Sequence, residues 1–381
     1  MDSTHTWHPG AICVKPRWAA RVDLFPDERL SSWIARAAYA NGCEPGALLS
    51  ALWPRGRWDR SDVNRMPGDE RLRSVAREGG IDIESLRQST LAPAASLICG
   101  GQPLPRATWA WITAFGANRR GGASASAHCP ACLREGIQPY LRVPWRFAWH
   151  TVCGIHKSAL VDRCAHCGRA PQSDHGPAEG GGIAHCAHGG GSLAPGALES
   201  VGPKASLELQ NRADLALNTG RCLHWGEERS TFEWFSFMTT LVRGVQSAIR
   251  SPWNPWARAL HGLDVDVPHR GAVLQLEHAD LHGRRHILEP VSRMTALSRN
   301  ELLALWMEAG VSRQNVEARA LSPEHFLHSV ILELPDRAKS RRRSATRRRI
   351  PEPRSRTQVA LVMRRLLRST TSENSSGGDS D

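Results

Sequence analysis

Cys129-Pro-Ala-Cys132 is followed along the chain by Cys153-Gly-Ile-His156, then by Cys164-Ala-His-Cys167 and finally by Cys186-Ala-His188. A gap of two residues lets both side chains of a tight turn point at one ion, and four such ligands complete the tetrahedral shell of Zn²⁺. In a chain without a secretory signal, clustered Cys and His are typical of metal ligands and not of disulfides. These pairs therefore predict structural zinc.

The ligands divide most simply in chain order. One predicted zinc site is formed by Cys129, Cys132, Cys153 and His156, and the other by Cys164, Cys167, Cys186 and His188. A cross-braced arrangement, in which alternate pairs share an ion, is also compatible with the spacing. A catalytic zinc keeps an open coordination position beside an acid or base. The sequence contains neither H-E-x-x-H nor H-x-E…P-C-x-x-C, which favours a structural role.

An aromatic segment separates the two halves of the first predicted site. It reads Tyr140-Leu-Arg-Val-Pro-Trp-Arg-Phe-Ala-Trp149. Aromatic and arginine side chains together can form a stacking surface for nucleic acid. A small zinc-stapled module lacks core volume, however, and its aromatic residues usually fill that core. We therefore favour a core role for this segment.

Two short helices are predicted near the N-terminus. Apolar residues recur with a helical period from Leu30 to Ala37, and Asn41-Gly42 can end that helix because both residues tolerate the left-handed conformation. A second helix starts near Pro45. Two short helices joined by a glycine-containing turn match a helix-turn-helix layout. A plain helical hairpin fits the same pattern, and the choice stays open here.

The rest of the chain divides by composition into a mainly α fold. The best later helix lies at 301–309, with Asn300 as its expected cap and Gly310 as its stop. The predicted domains are a lead-in (1–27), a helix-turn-helix-containing helical domain (28–120), a zinc-binding module (121–200), a C-terminal helical region (201–335) and a basic, disordered tail (336–381).

Composition excludes several protein classes. At roughly 100–200 residues per domain, a chain of 381 residues is expected to form two or three domains, and its 41% of hydrophobic residues is enough to bury a core. Apolar runs stay well short of the roughly 20 residues that a membrane-spanning helix needs. Residues 1–10 lack the apolar region of a secretory signal. We therefore expect a cytoplasmic protein that does not contact membranes.

The basic charge is concentrated in the tail. Residues 337–368 contain thirteen Arg or Lys and one Glu, which accounts for the whole formal net charge of +12. Such a segment is expected to stay solvated and to bind phosphates without reading sequence. The residues predicted to contact DNA there are Arg341, Arg342, Arg343, Arg347, Arg348 and Arg349.

Four motifs follow one another in a specific order. They are Pro26-Asp-Glu28-Arg-Leu30-Ser-Ser-Trp33, Cys129-Pro-Ala-Cys132-Leu133, W-R-F-A-W-H-T-V-C-x-x-H at 145–156, and Leu160-Val-Asp162-Arg163-Cys164-Ala-His-Cys167-Gly168. This order resembles the TniQ/TnsD family of bacterial transposon target-selection proteins. The resemblance covers residues 22–195 and is most specific over 129–168. It implies an N-terminal helix-turn-helix domain followed by a zinc-binding helical domain with two zinc-finger-like motifs.

The resemblance implies a role in DNA transposition without catalysis of strand transfer. Such proteins link a target, or a complex bound to it, to an AAA+ ATPase that recruits the transposase. Some members dimerise and sit on an RNA-guided CRISPR effector, and others act in mercury-resistance-type transposons. The expected partners are therefore DNA, the ATPase and the transposase, with a CRISPR effector and a homodimer left open. The resemblance also implies a bacterial cytoplasmic protein that is associated with the nucleoid.

Two other functions are weighed beside this one. A free-standing zinc-containing helix-turn-helix transcriptional regulator would share the helices and the basic tail. A zinc-dependent nucleic-acid enzyme would need an acidic triad or an open metal site, and the sequence offers neither.

One position departs from the resemblance. The second zinc site of the family resembles C-x2-C…C-x2-C-G-x-x-L, and Gly189 stands here where the last Cys belongs. Glycine has no side chain that binds metal. His188 is predicted as the fourth ligand, with His185 as the alternative. A weakened or empty second site also stays open.

Overall fold

Among the described residues, helices predominate and two short strands form the only sheet. The computed structural model describes residues 18–54, 62–65, 68–115, 127–171, 182–196, 200–265, 275–319 and 327–336. The helices are α1 (Leu30–Ala40), α2 (Pro45–Leu52), α3 (Asp69–Gly79), α4 (Ile83–Gln88), α5 (Ala92–Ile98), α6 (Pro130–Glu135), α7 (Lys204–Thr219), α8 (Thr231–Arg250), α9 (Pro255–Gly262), α10 (Leu281–Ala296), α11 (Arg299–Glu308), α12 (Arg313–Glu317) and α13 (His328–Glu333). The prediction of a mainly α protein is confirmed.

The two predicted N-terminal helices are present as α1 and α2. Asn41 caps the end of α1 by donating its side-chain amide to the carbonyl of Ala37 at 2.8 Å. Gly42 then adopts a φ of 69°, which glycine tolerates without strain. Leu72 of α3 and Leu86 of α4 are fully buried and complete the apolar cluster around α1. The reading of DNA by these helices stays a prediction.

The C-terminal helices pack around the long helix α8. Its N-terminus is fixed by a capping box, in which Ser230 and Glu233 satisfy each other's backbone N–H groups. Gly244 lets α9 approach closely, because a Cβ at this position would lie 2.4 Å from the ring of Trp256. Trp256 in turn meets Trp306 of α11 edge to face, with ring centroids 5.3 Å apart.

The start of α11 differs from the sequence-based expectation. Ser298, not Asn300, is the N-cap, because its hydroxyl accepts from the backbone N–H of Glu301. The carboxylate of Glu301 reaches back to the N–H of Ser298 at 2.7 Å. The three-residue spacing of a capping box decides the position of this cap.

A β-hairpin lies in a region that was predicted to be helical throughout. Strands β1 (Arg221–His224) and β2 (Glu227–Ser230) pair antiparallel. Trp225 and Gly226 form the turn with φ of 52° and 78°, the backbone that a tight two-residue hairpin turn needs. The usual Asn-Gly or Asp-Gly signal is absent, because a tryptophan occupies the first turn position.

The described residues up to Pro335 belong to one compact unit. Trp145, Phe147 and Trp149 are buried in it, so the core role predicted for the aromatic segment is confirmed. In the described part of the chain, no helix is long and apolar enough to cross a membrane. The first 17 residues of the lead-in and the tail beyond Asp336, including the arginines at 341–349, lie outside the described residues. The other domain boundaries stay predictions.

Candidate metal centre

The first predicted set of ligands comes together in space. The ligand atoms of Cys129, Cys132, Cys153 and His156 all lie within 4.8 Å of one another. The Nδ1 atom of His156 is 3.5 Å from the Sγ of Cys129, 3.3 Å from that of Cys132 and 3.6 Å from that of Cys153. A tetrahedral zinc shell has edges of about 3.5–3.8 Å. These residues can therefore hold one metal ion, which we call the first cluster.

Local structure aims the ligands of the first cluster. Cys129 directly precedes α6, and Pro130 opens that helix with the φ that a first helical residue requires. Cys153 and His156 share a tight turn, which is closed by the N–H of Lys157 donating to the carbonyl of Cys153 at 2.9 Å. Thiol hydrogen bonds from Cys132 and Cys153 lower the pKa of Cys129. A thiolate is the form that binds metal.

A residue that the sequence analysis missed orients His156. Glu135, at the end of α6, lies 2.7 Å from the Nε2 atom of His156 through its Oε2 atom. When Nε2 carries the proton and donates it to Glu135, Nδ1 is free to bind metal. The sequence shows no motif that would link Glu135 to a histidine twenty-one residues later.

The second group contains three thiols. The ligand atoms of Cys164, Cys167 and Cys186 lie within 4.8 Å of one another. The Sγ atoms of Cys167 and Cys186 are 3.8 Å apart. Burial raises the pKa of Cys164, but the backbone N–H groups of Cys167 and His166 outweigh it and lower that pKa. We call this group the second cluster. The ligands thus gather in chain order, without cross-bracing.

Neither predicted histidine joins the second cluster. Among the described residues of this group, only the three cysteines have ligand atoms within 4.8 Å of one another, so His188 and His185 lie outside the second cluster. His188 is exposed to solvent. The assignment of His188 as the fourth ligand stays a prediction without a supporting contact.

The motif that contains Glu28 joins α1 to the first cluster. The carboxylate of Glu28 accepts hydrogen bonds from Ser32 at 2.8 Å and from Arg36 at 2.6 Å. Ser32 then accepts the N–H of Leu141, and Arg36 donates to the side chain of Gln138. Burial raises the pKa of Glu28, although Arg36 and Ser32 oppose this. The motif residues therefore tie the N-terminal helices to the segment between the two ligand pairs.

A second buried ion pair lies between the N-terminal helices and the aromatic segment. Arg146 donates to Asp62 at 2.6 Å, and the two side chains are 1% and 5% exposed. Arg146 also donates to the carbonyl and hydroxyl oxygens of Thr113. Burial alone would raise the pKa of Asp62, but the charge and hydrogen bonds of Arg146 lower it.

The C-terminal helices hold the metal-binding segment from its other side. Arg284 of α10 is fully buried, and its guanidinium reaches the backbone carbonyls of Phe147, Ala148 and His150. Burial lowers the pKa of Arg284 to about 10. Asp162, just before the second cluster, accepts the backbone N–H of Leu281 at 2.8 Å. The helices after residue 200 thus position the segment that carries the ligands.

A basic groove lies between α2 and α3. Its volume is about 820 Å³, and Trp53 forms part of its wall. Arg71, Arg73 and Arg77 line it, and the side chains of all three are exposed. The guanidinium of Arg71 lies over the ring of Trp53, 5.8 Å from its centroid. Trp53 is buried, and the exposed Glu70 also lines the groove, so the groove offers cations that suit phosphates but no surface on which bases could stack.

Comparison with known proteins supports the motif-based resemblance. The TniQ family model matches residues 19–160, which include every ligand of the first cluster. The match ends before Cys164, so the second cluster lies beyond it. No curated protein is a significant match to the chain.

Proposed function

We propose, on the premise that the chain is a TniQ family protein through residues 19–160, that it is a non-catalytic adaptor of DNA transposition. In this role it links target DNA, or a complex bound to the target, to an AAA+ ATPase and through it to the transposase. The observation that carries the proposal is the family match over the N-terminal helices and the first cluster. No separate observation favours the alternative, a free-standing transcriptional regulator.

The bound metal of this proposal is Zn²⁺, and its role is structural. The first cluster offers three thiols and one imidazole, a donor set that suits zinc. Four protein ligands leave no open coordination position for a substrate. An adaptor needs a rigid shape more than a reactive centre, and the metal would fix the segment that both the N-terminal and the C-terminal helices contact.

The basic groove is the proposed contact for target DNA. Acidic neighbours offset part of its charge, because Arg73 lies 3.7 Å from Asp69 and Arg77 lies 3.2 Å from Glu78. The side chain of Glu78 is only 13% exposed, whereas the pair of Arg73 and Asp69 is solvent-exposed on both sides and therefore weak. Phosphates can replace such carboxylates at little cost. We propose that DNA lies along the exposed face of α3.

The tail is the second proposed DNA contact. Its arginines at 341–349 are expected to add sequence-independent affinity. Truncation after Asp336 should weaken binding to all DNA sequences alike and flatten the log–log salt dependence by about 0.9 for each phosphate lost. Binding isotherms at several salt concentrations measure this. Equal slopes for the full and truncated chains would instead favour an acidic protein partner for the tail.

The adaptor role is tested by reconstitution. Full-length protein, an AAA+ transposition ATPase and target DNA are mixed and separated by size-exclusion chromatography. We expect the ATPase to co-elute with DNA more strongly when the protein is present. Matched samples add a CRISPR effector or omit DNA, and light scattering reports a dimer. A protein that binds DNA but never retains the ATPase would contradict the adaptor role and favour a transcriptional regulator.

A further inference from the structure

Three short turns carry ligands of the two clusters and share one backbone pattern. They span 153–158, 164–169 and 186–191. In each turn the first residue accepts the N–H of the fifth and donates its own N–H to the carbonyl of the sixth. The six N···O distances lie between 2.7 and 2.9 Å. The fifth residue has a positive φ in every case, at Lys157 (55°), Gly168 (68°) and Gly190 (62°).

The shared pattern makes the fourth residue of each turn equivalent. In the first two turns this residue is a ligand, His156 or Cys167. In the third turn it is Gly189. A Cβ at Gly189 would lie 3.4 Å from the Cβ of Cys167 and 3.8 Å from its Sγ. The third turn therefore has the backbone shape of a ligand-bearing turn, and a side chain at residue 189 would point toward the second cluster.

No histidine of the described chain takes the vacant place. His188 and His185 lie outside the second cluster. His166 is the nearest alternative, because its Cδ2 atom lies 3.4 Å from where a Cβ of Gly189 would be. Its ring nitrogens nevertheless fail to meet the three thiols, and the side chain is exposed. His166 packs against Gly191, where an added Cβ would lie 2.5 Å from the Cβ of His166, and the position that faces the Sγ of Cys167 is that of Gly189.

We infer that the second cluster binds a divalent metal through three ligands of the described residues, Cys164, Cys167 and Cys186, with its fourth coordination position open to an added donor. The donor is a single nitrogen or sulfur ligand, such as an imidazole or a thiol, which exchanges with water. Three thiolates leave one corner of the tetrahedron free. The inference does not rest on a role in transposition, since it concerns metal coordination only.

Replacement of Gly189 by cysteine should close the open position. The backbone of Gly189 lies outside the left-handed region, so a side chain is tolerated there without strain. The contacts of the added Cβ, at 3.4 Å or more, are ordinary. Gly189→Ala adds the same Cβ without the thiol and is the matched control. The first cluster is unchanged in all three proteins and cancels in their comparison.

The test uses the full chain loaded with Co²⁺, whose visible spectrum reports thiolate number and geometry. We expect two Co²⁺ ions per chain, and addition of imidazole should change the spectra of the wild type and Gly189→Ala but not that of Gly189→Cys. Removal of a group that only hydrogen-bonds to a metal ligand lowers metal affinity by about 10–100-fold. A fourth direct ligand in Gly189→Cys should therefore slow the release of metal to a chelator by more than about 10-fold.

Two results would overturn the inference. One is a single metal ion per wild-type chain, which would mean that three thiols do not retain the ion. The other is a wild-type spectrum that imidazole leaves unchanged. In that case His166→Ala and the double variant of His185 and His188 would identify the residue of the chain that fills the fourth position.

Discussion

The two clusters are built from the same kind of turn but differ in how completely they surround an ion. The first has four ligands, a carboxylate behind its histidine and a place within the residues that the TniQ family model matches. The second has three thiols and lies beyond residue 160. The backbone of the turn therefore fixes the positions of the ligands, and the side chain at its fourth residue decides whether the cluster has a fourth ligand. The first cluster is suited to hold the fold, and the second to exchange its ligand.

The largest difference is expected when each cluster loses a cysteine. Cys153→Ser should release one metal ion and unfold residues near 128–168, because structural zinc contributes about 10–16 kcal/mol to the folding of small domains. Cys186→Ser should cost less, since its cluster starts with three ligands. Thermal melting and metal analysis measure both effects. Equal losses for the two variants would erase the proposed difference between the clusters.

The next largest effect on stability concerns the ion pair of Asp62 and Arg146. Arg146 belongs to the aromatic segment between the two ligand pairs of the first cluster. Asp62→Asn should destabilise the protein by about 3–5 kcal/mol, because it leaves a buried guanidinium without its counter-charge. The control is Asp69→Asn, which removes an exposed carboxylate and should stay within about 0.5 kcal/mol.

The same variant has a defined pH dependence. Because the folded pKa of Asp62 is lowered from 3.8, its contribution is fully present above pH 3.8 and is lost as the pH falls through the folded value. The free energies of unfolding of the wild type and Asp62→Asn, measured in urea, should therefore become equal only in strong acid. A constant difference down to the lowest pH would contradict the role of the carboxylate.

A smaller effect is expected behind the first cluster. Glu135→Ala removes the partner of His156 and should weaken metal binding there by about 10-fold, the low end for such contacts because Glu135 is exposed. The second cluster should keep its affinity. Chelator competition resolves the two ions. Glu208→Ala, an exposed acid of α7, is the control. Equal loss at both clusters would mean that Glu135 acts through general stability.

The smallest effect on stability is expected in the basic groove, which is proposed to bind DNA and not metal. Replacement of Arg71, Arg73 and Arg77 by Gln should leave metal content unchanged and flatten the salt dependence of DNA binding by about 0.9 for each lost phosphate contact. The paired variant Arg221→Gln with Arg293→Gln removes exposed charges elsewhere and should keep the slope. An unchanged slope for the groove variant would remove the groove as the DNA contact.

Features that depend on neighbours in sequence were predicted well. The Cys153 and His156 pair forms the expected turn, because two ligands three residues apart need only local hydrogen bonds. Helices α1 and α2 follow from apolar spacing and from the Asn41-Gly42 stop. The cap of α11 was misplaced by two residues, since Ser298 competed with Asn300 for the same helix start. The hairpin at Trp225 was missed because its turn lacks the usual residues.

The sequence by itself determined which residues can bind metal, where the ligand turns lie and that the protein is mainly helical, because spacing and periodicity are local properties. Only the tertiary structure decided which ligand pairs come together at one cluster, that Glu135 faces His156 and that His188 stands outside the second cluster, whereas comparison with the family motif had already put Gly189 at the ligand position. It also paired Asp62 with Arg146 and buried Arg284 against the metal-binding segment. These contacts join residues up to 137 positions apart, and packing of the whole core, not local sequence, brings them together.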